Sequence, residues 1–512
     1  MGQPETNDPI PLSVPILGLN RKDPLAKMDP QYSPWLLNWE PEAQYLRIRN
    51  GWIREYNFAA LTDIFALQSD GNYIYAYGSA VGGGAHEIYR HDDLINPAFT
   101  LGGNAATSAT PGKFSSTITF MADINGFVYS AALLSGGWAL WTLGDAGINV
   151  APGMSLVGFK GRAYTGMAYA AGKFLNYYDF QAIQNGTMAQ VSLDYLFDNN
   201  QAVRWIKRLT SPSMRADELF LAFGNYAGEI LVYAGDNPDA DNWEQIGEFQ
   251  TSKPLWFSSA LEYKNDVWIP TETGIVSLKK LFTQGSQGNE DISVSGAIDD
   301  YWTELSRARG GSSVKCSMVY WPEQNKIYVL RPGFIDEDGT YTSTDATLFV
   351  HNPISGAWVP QRIAGLHPTA NAHSLLYHNN GLYFATGIAV MKLEPDTYAD
   401  GAYNVSNQTN AFATPLQSAY MNLGSEHKYK KTEGFQPIIK TDFDGSKVGM
   451  QAASDFGRKV SSTSYSNLQD GYQIANYNVG AEGTFLQYRF DGVSDISSTD
   501  GYKLYSVGMN IS

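Results

Sequence analysis

"SLLYHNNGLYFATGIAVMKL", residues 374–393, is an apolar run, a polar corner at Asn379, Asn380 and Gly381, and a second apolar run that turns again near Gly387. Asn and Gly accept the positive φ of a tight hairpin turn, and the flanking runs carry the aromatic and branched side chains that strands favour. The same grammar recurs along the chain. "FALQSDGNYIYAYGS" turns at Asp70 and Gly71, "TFMADINGFVYSAALL" at Asn125 and Gly126, and "GMAYAAGKFLNYYDF" at Gly172. Later copies turn between Asn225 and Gly228, near Asn265 and Asp266, and near Asn325. Turns roughly 40 to 60 residues apart fall in the range where self-similarity means a propeller or a solenoid. Four-stranded blades closed into a circle leave only short, protected edges, which answers the aggregation problem of so much β structure. The chain therefore reads as mainly β, with a β-propeller of about six or seven blades over residues 51–400.

Composition agrees with short strands and tight turns: 50 glycines, 32 tyrosines, 24 phenylalanines and 12 tryptophans in 512 residues, where glycine and aromatics are poor or middling helix formers. A chain this long exceeds the roughly 250 to 300 residues at which single cores stop growing, so a second domain is expected. From residue 401 the blade grammar stops. Strong strands such as "GFQPIIK" and "FLQYRF" alternate with Ser/Asn/Gly loops, and residues 401–512 read as a separate β-sandwich-like platform domain. Residues 1–50, with scattered prolines and Trp35, Trp39 and Tyr45, read as an extended arm ending in a first strand and held by partners or by the outside of the ring. In "VHNPISGAWVPQRI" and "VYAGDNPDADNWEQIG" a polar turn leads to a tryptophan that opens the next strand, so Trp358 and Trp243 are expected to cap blade layers as core aromatics. Helix is expected chiefly in "GAIDDYWTELSRAR", where Asp299 and Asp300 suit a first helical turn and Tyr301, Trp302 and Leu305 share a face.

Residues that carry chemistry do not assemble into a motif. Cys316 has no histidine near it in sequence and reads as a small packed side chain, and a lone cysteine excludes an intrachain disulfide. His86 and His91 in "GGGAHEIYRH" are five apart in a strand-like setting, which places them on opposite faces and not on one metal. Asp236, Asp239 and Asp241, and likewise Asp336, Asp338 and Asp345, lack the alternating oxygens and late glutamate of a calcium loop and read as solvated hairpin loops. His367, His373 and His378 have offsets that suit no ligand set or triad. No catalytic residue, metal ligand or cofactor is assigned, and binding residues are left unassigned. The formal charge of −16 is unevenly spread: from residue 401 nine Lys plus Arg face ten Asp plus Glu, a net of −1, leaving −15 for residues 1–400. Such a body repels polyphosphate, so DNA that meets it slides past. "MGQPETNDPIPL" has no basic start and apolar stretch of a secretory signal, its Gly2 and Thr6 match a myristoylation pattern without the basic cluster of a stable anchor, and no apolar run approaches the roughly 20 residues of a spanning helix.

The order "YLRIRNGW", "SSALEYKNDVWIPTETGIVSLKKLF" leading into "SGAIDDYWTEL", "ATLFVHNPISGAW", the hairpin quoted first, then "FATPLQSAYMNLG" and "KYKKTEGFQPII" resembles the tail nozzle or hub proteins of short-tailed bacteriophages, the packaged-DNA stabilisation group, from about residue 30 onward. The resemblance implies a structural virion protein and not an enzyme: a homo-oligomer, by that resemblance a hexamer, in which a ring of propellers lies beneath the portal and adaptor ring proteins. The platform would form the upper contact, tail fibres or a tail needle would attach, and double-stranded DNA would pass without sequence-specific binding. It further implies assembly in the host cytoplasm and residence in the virion tail, with no membrane insertion by this chain. Two other functions compete: a propeller glycoside hydrolase, which needs two carboxyls about 5 to 10 Å apart in a pocket, and a tail-fibre or receptor-binding module.

Overall fold

The computed structural model describes residues 9–511 except 83–84, 95, 103–108, 115–116, 125–126, 135–136, 145–155, 170–171, 180–188, 194–195, 199–202, 211–218, 256–258, 285–291, 310–315, 365–373, 396, 399, 402–408, 411, 422–429, 442–446, 458, 468, 480 and 493–501. In the opening hairpin, strands Leu375–His378 and Gly381–Thr386 pair with His378 opposite Gly381. The two residues between them, Asn379 (φ 43°) and Asn380 (φ 62°), both adopt the left-handed conformation. That double positive φ matches the right-handed twist of the flanking strands. Gly381 belongs to the second strand and not to the corner. The corner at Asn125 and Gly126 lies outside the described residues, although its strands Thr117–Ile124 and Phe127–Leu134 pair as expected.

Seven antiparallel sheets follow one another along the chain. Their first strands are Leu61–Ser69, Ala109–Phe114, Leu156–Phe159, Val203–Thr210, Leu261–Tyr263, Ser317–Trp321 and Leu375–His378. Each of these lies against the first strand of the next sheet, and the seventh returns to the first, so the sheets form a closed ring. The fold is a seven-bladed β-propeller. Closure draws on both directions of the chain: the last blade takes its outer strand, Gly51–Asn57, from the N-terminal side, where it pairs antiparallel with Ala389–Glu394. Among the described residues blade 5 has three strands, and a helix over Leu278–Gln284 follows its third strand directly. Leu278 and Leu281 of that helix bury into the same cluster as Val267 and Ile269 of the blade.

Among the described residues apolar clusters sit between neighbouring blades, as stacked sheets require. Leu61, Ile74 and Tyr89 of blade 1 pack with Leu376, Tyr383 and Val390 of blade 7. Tyr328, Leu330 and Leu348 of blade 6 pack with Trp52, Leu382 and Phe384 of blade 7. The expected helix spans Asp299–Arg309 and buries Tyr301, Trp302 and Leu305 completely. The Tyr301 hydroxyl donates to the Ile335 carbonyl at 2.8 Å and the Trp302 indole to that of Thr271 at 2.7 Å, so this helix ties blade 5 to blade 6.

The arm expected over residues 1–50 is not a separate extended segment. Ile10–Leu12 and Leu46–Ile48 pair with Tyr502–Ile511, Trp39–Pro41 pairs with Leu46–Ile48, and Trp35–Leu36 pairs with Leu416–Gln417. Both ends of the chain therefore build the sandwich: a seven-stranded sheet ordered from Trp39–Pro41 to Gly471–Ile474, facing a six-stranded sheet centred on Leu486–Gly492 and Lys447–Ser454. The reason is burial. Strands of two or three residues cannot hide their apolar side chains alone; Trp39, Leu46 and Ile48 do so against Phe435, Ile439, Phe490 and Leu504 in a shared core. Between these strands the chain crosses blade 6 so closely that Gly18 (φ 85°) has its Cβ position 2.5 Å from the Trp358 carbonyl oxygen, which admits no side chain.

Trp52, fully buried on the closing strand with its ring edge-on to Phe384 at 4.6 Å, tests the closure. Trp52→Ala is expected to cost about 3–5 kcal/mol, read as a fall in the urea midpoint, with Trp52→Phe losing less; an unchanged midpoint would mean that the borrowed strand does not hold the ring.

Candidate functional site

The two ends of the chain meet beside blade 6, and the meeting point is polar. Arg49 is fully buried and uses all five of its N–H donors. Nε donates to Asn38 Oδ1 (3.0 Å), Nη1 to the Asn50 carbonyl and Asp400 Oδ1 (both 2.8 Å), and Nη2 to the Arg362 carbonyl (3.0 Å) and Asp400 Oδ2 (2.5 Å). Its guanidinium lies 3.8 Å over the Phe412 ring. The Asp400 carboxylate also accepts the Trp52 amide. One cation thus joins the segment entering the propeller, the segment leaving it and the outer strand of blade 6.

A second buried group does the same work nearby. Glu40 accepts from Arg47, from Lys326 Nζ of blade 6 at 2.9 Å and from Gln361. Burial alone would raise its carboxyl, but Arg47 and Lys326 outweigh burial and hold it at about 2. These ion pairs fix the sandwich on the propeller with hydrogen-bond geometry in place of a mobile linker.

The residues singled out in the sequence are dispersed. Cys316 is buried in an apolar cluster, and burial pushes its thiol up to about 12, which keeps it protonated and inert. The His91 ring accepts the Ile74 amide at 2.9 Å within blade 1; the His86 side chain lies outside the described residues. Asp236 and Asp239 do not form a simple solvated loop: the Asp236 carbonyl accepts from Arg162 and from the Tyr164 hydroxyl, and Asp239 accepts from the Tyr177 hydroxyl, clasping blade 4 to blade 3. Asp241 stays exposed. Asp336 and Asp338 cap the Thr340 amide on an exposed hairpin, whereas Asp345 is buried and paired with Arg362 at 2.6 Å. His367 and His373 lie outside the described residues, and His378 meets the Ser69 hydroxyl at 2.6 Å across the seam between blades 7 and 1. Trp358 is buried against His351, and Trp243 stacks between Tyr164 and Tyr233, joining blades 3 and 4. Among the described residues no group of three or more His, Cys, Asp or Glu is placed to hold a metal ion.

On the innermost strand of blade 4, Arg208 donates to Glu262 of blade 5 at 2.8 Å, and Arg204 lies over the Tyr226 ring. Burial raises the Glu262 carboxyl, but Arg208 and Lys207 overcome it and bring it below its ordinary range. The basic strand of the bore is thereby partly neutralised by its neighbour.

The surface that sequence reading missed is on the outer face of the seven-stranded sheet. Tyr45, Tyr505 and Tyr472 form a ladder with ring centres 5.0 and 5.4 Å apart, Lys503 lies over Tyr45, and Lys440 lies over Tyr472. Tyr472 and Ile474 are 66% and 64% exposed. The signal in sequence was slight: "GYQI" alternates like any half-buried strand, and only the sheet order reveals that its apolar side faces outward.

No family model and no curated protein matches the chain. Among solved structures it is similar to one described as the crystal structure of BBS1N in complex with ARL6DN, soaked with mercury, at 10% identity over 68% of this chain and 98% of that one, with a TM-score of 0.39. At that distance the likeness carries no argument, and the propeller assignment rests on the strand pairings described above.

Two substitutions test the junction. Arg49→Met leaves Asp400 buried without its partner and is expected to destabilise by about 3–5 kcal/mol. Glu40 titrates lower in the folded chain than in the unfolded one, so its contribution is full above about 4.5 and is lost as pH falls toward about 2. In acid-unfolding curves Glu40→Gln should be less stable than the wild type near neutrality and should lack that part of the decline; parallel curves would exclude the assigned ion pairs.

Proposed function

We propose that the chain is a structural virion protein, a subunit of the tail nozzle or hub ring of a short-tailed bacteriophage, which closes the portal channel, retains packaged DNA and serves as the conduit for its ejection. The segment order that resembles the nozzle proteins motivates this reading. The observation that carries it furthest is the division of charge over a rigid two-part body. The propeller, residues 51–400, has 21 Lys plus Arg against 35 Asp plus Glu, a net of −14. Residues 1–50 and 401–512, from which the strands of the sandwich come, have 14 against 16, a net of −2. An acidic wall suits a passage through which polyphosphate moves without adhering, because affinity for a duplex comes mainly from cations that neutralise phosphates. The nearly neutral sandwich, held fast by Arg49 and Glu40, suits a platform that meets neighbouring ring proteins of the portal and adaptor.

On this reading the duplex runs along the axis of the assembled ring and not through a single propeller. The wall of a single propeller is continuous: the seven innermost strands each touch the next, and Arg208 of one pairs with Glu262 of its neighbour.

Electron microscopy of the purified chain, alone and mixed with its adaptor ring, is the direct test. A six-fold ring of propellers is expected, with no retention of duplex DNA at about 50–200 mM salt, a range over which phosphate contacts register strongly. A chain that stays monomeric with the adaptor present, or that grips duplex DNA, would overturn the reading.

A further inference from the structure

Ten large apolar side chains are exposed among the described residues, and five of them, Phe456, Val460, Tyr465, Tyr472 and Ile474, fall within nineteen consecutive residues. This ribbon leaves the six-stranded sheet through Lys459–Val460 and Ser464–Asn467 and enters the seven-stranded sheet as Gly471–Ile474. There it is the terminal strand of the sheet order, paired through Lys430–Thr441. An exposed edge strand carrying two large apolar residues is a template for unwanted pairing unless something covers it.

The start of the ribbon is held outward under strain. Asp455, Phe456 and Gly457 have φ values of 45°, 62° and 88°, and two non-glycine residues in the left-handed region are costly. The Asp455 carboxylate keeps them there by accepting the amides of Thr484 and Phe485 at 2.8 and 3.1 Å. Phe456, 45% exposed, packs on Tyr420 and Phe485 at the surface.

Charge selects what covers the ribbon. One row across the seven-stranded sheet reads Arg47, Lys503, Lys440 and Tyr472; Arg47 is paired with Glu40 and Glu42, so Lys503 and Lys440 are the cations that back the tyrosine ladder, on a sandwich of net charge −2. Contact between two propellers would press −14 against −14, and contact between two sandwiches would bring like cations together. Sandwich against propeller is the pairing in which a basic aromatic face meets an acidic one. It joins two different patches, and head-to-tail contacts of that kind propagate around a ring.

We infer that the exposed Tyr472–Ile474 edge, with Tyr45, Tyr505, Lys440 and Lys503, is the docking surface for the acidic propeller of a second copy of this chain. The inference rests on the ring reading above and specifies which surfaces close the ring. The aromatics, once covered, supply area at low entropy cost, and the lysines supply orientation and speed of encounter.

The test uses the full chain with a photo-crosslinking phenylalanine analogue at position 472, together with Tyr472→Glu/Ile474→Glu and Lys440→Glu/Lys503→Glu double variants. Each variant is compared with the wild type by thermal unfolding and by mass photometry across a dilution series. Tyr472 and Ile474 are exposed and Lys440 and Lys503 are half-buried on the sheet face, outside the core, so unfolding midpoints should stay close to the wild type. The ring should crosslink from position 472 to peptides within residues 51–400 of another copy. Both double variants should need at least about tenfold more protein to assemble, with the lysine pair losing its effect at high salt. Rings that form normally in both variants, or crosslinks that run to another sandwich or to a different ring protein, would overturn the inference and leave the ring reading intact. A wild type that stays monomeric even with its adaptor ring present would remove both.

Discussion

A guanidinium with no exposed surface and five hydrogen bonds governs how the two halves of this protein are joined. Arg49 sits where the chain passes from sandwich to propeller, and Asp400 sits where it passes back. A buried ion pair is weak evidence for net stability, since desolvating both charges offsets much of their attraction. Its stronger effect is on uniqueness. Asn38, Asn50, Arg362 and Asp400 must all present oxygen atoms at once, and few arrangements of two strands and a blade achieve that. Removing any of them leaves a buried donor unmatched, which penalises alternatives in which the ends of the chain swing apart.

The constraint explains why a propeller of seven blades is sealed by chain from both directions. The strand Gly51–Asn57 begins two residues after Arg49 and completes blade 7. The same N-terminal segment that supplies the seal has already contributed to both sheets of the sandwich. Opening the ring would therefore strain the sandwich, and fraying the sandwich would pull on the last blade. Coupling of this kind ties the closure of the propeller to the integrity of the sandwich.

The propeller was legible in sequence because its information is local. Hairpin corners such as Asn379–Asn380 declare their φ values, and the strands on either side declare their period. The helix Asp299–Arg309 was legible for the same reason: its acidic start and its Tyr301, Trp302 and Leu305 face are written within one short segment. The blade number was ambiguous since blade 5 follows three strands with a helix. The N-terminal segment misleads in sequence because its partners come from the far end of the chain; Trp39 resembles an exposed clasp until the Thr414 carbonyl accepts its indole proton and Phe490 packs against its ring. The sandwich edge was invisible on the same grounds. Whether Tyr472 faces a core or solvent depends on the order of strands in a sheet, and no window of sequence contains that order.

The charge distribution changes meaning once the topology is known. Counted along the chain, the acidic excess belongs to everything before position 401. Counted by structure, it belongs to the propeller, because the N-terminal segment that ends at Asn50 folds into the other half. A divided body of this sort resists association through like faces, since acidic propellers repel one another over the Debye length of about 8–10 Å, and it leaves unlike faces as the favourable contact. Two large apolar side chains exposed on an edge strand have a cost in solubility, and repulsion between acidic propellers offsets part of it by keeping like faces apart. Negative charge in this protein is accordingly concentrated on one of its two parts, and that division follows from where the backbone carries its N-terminal segment.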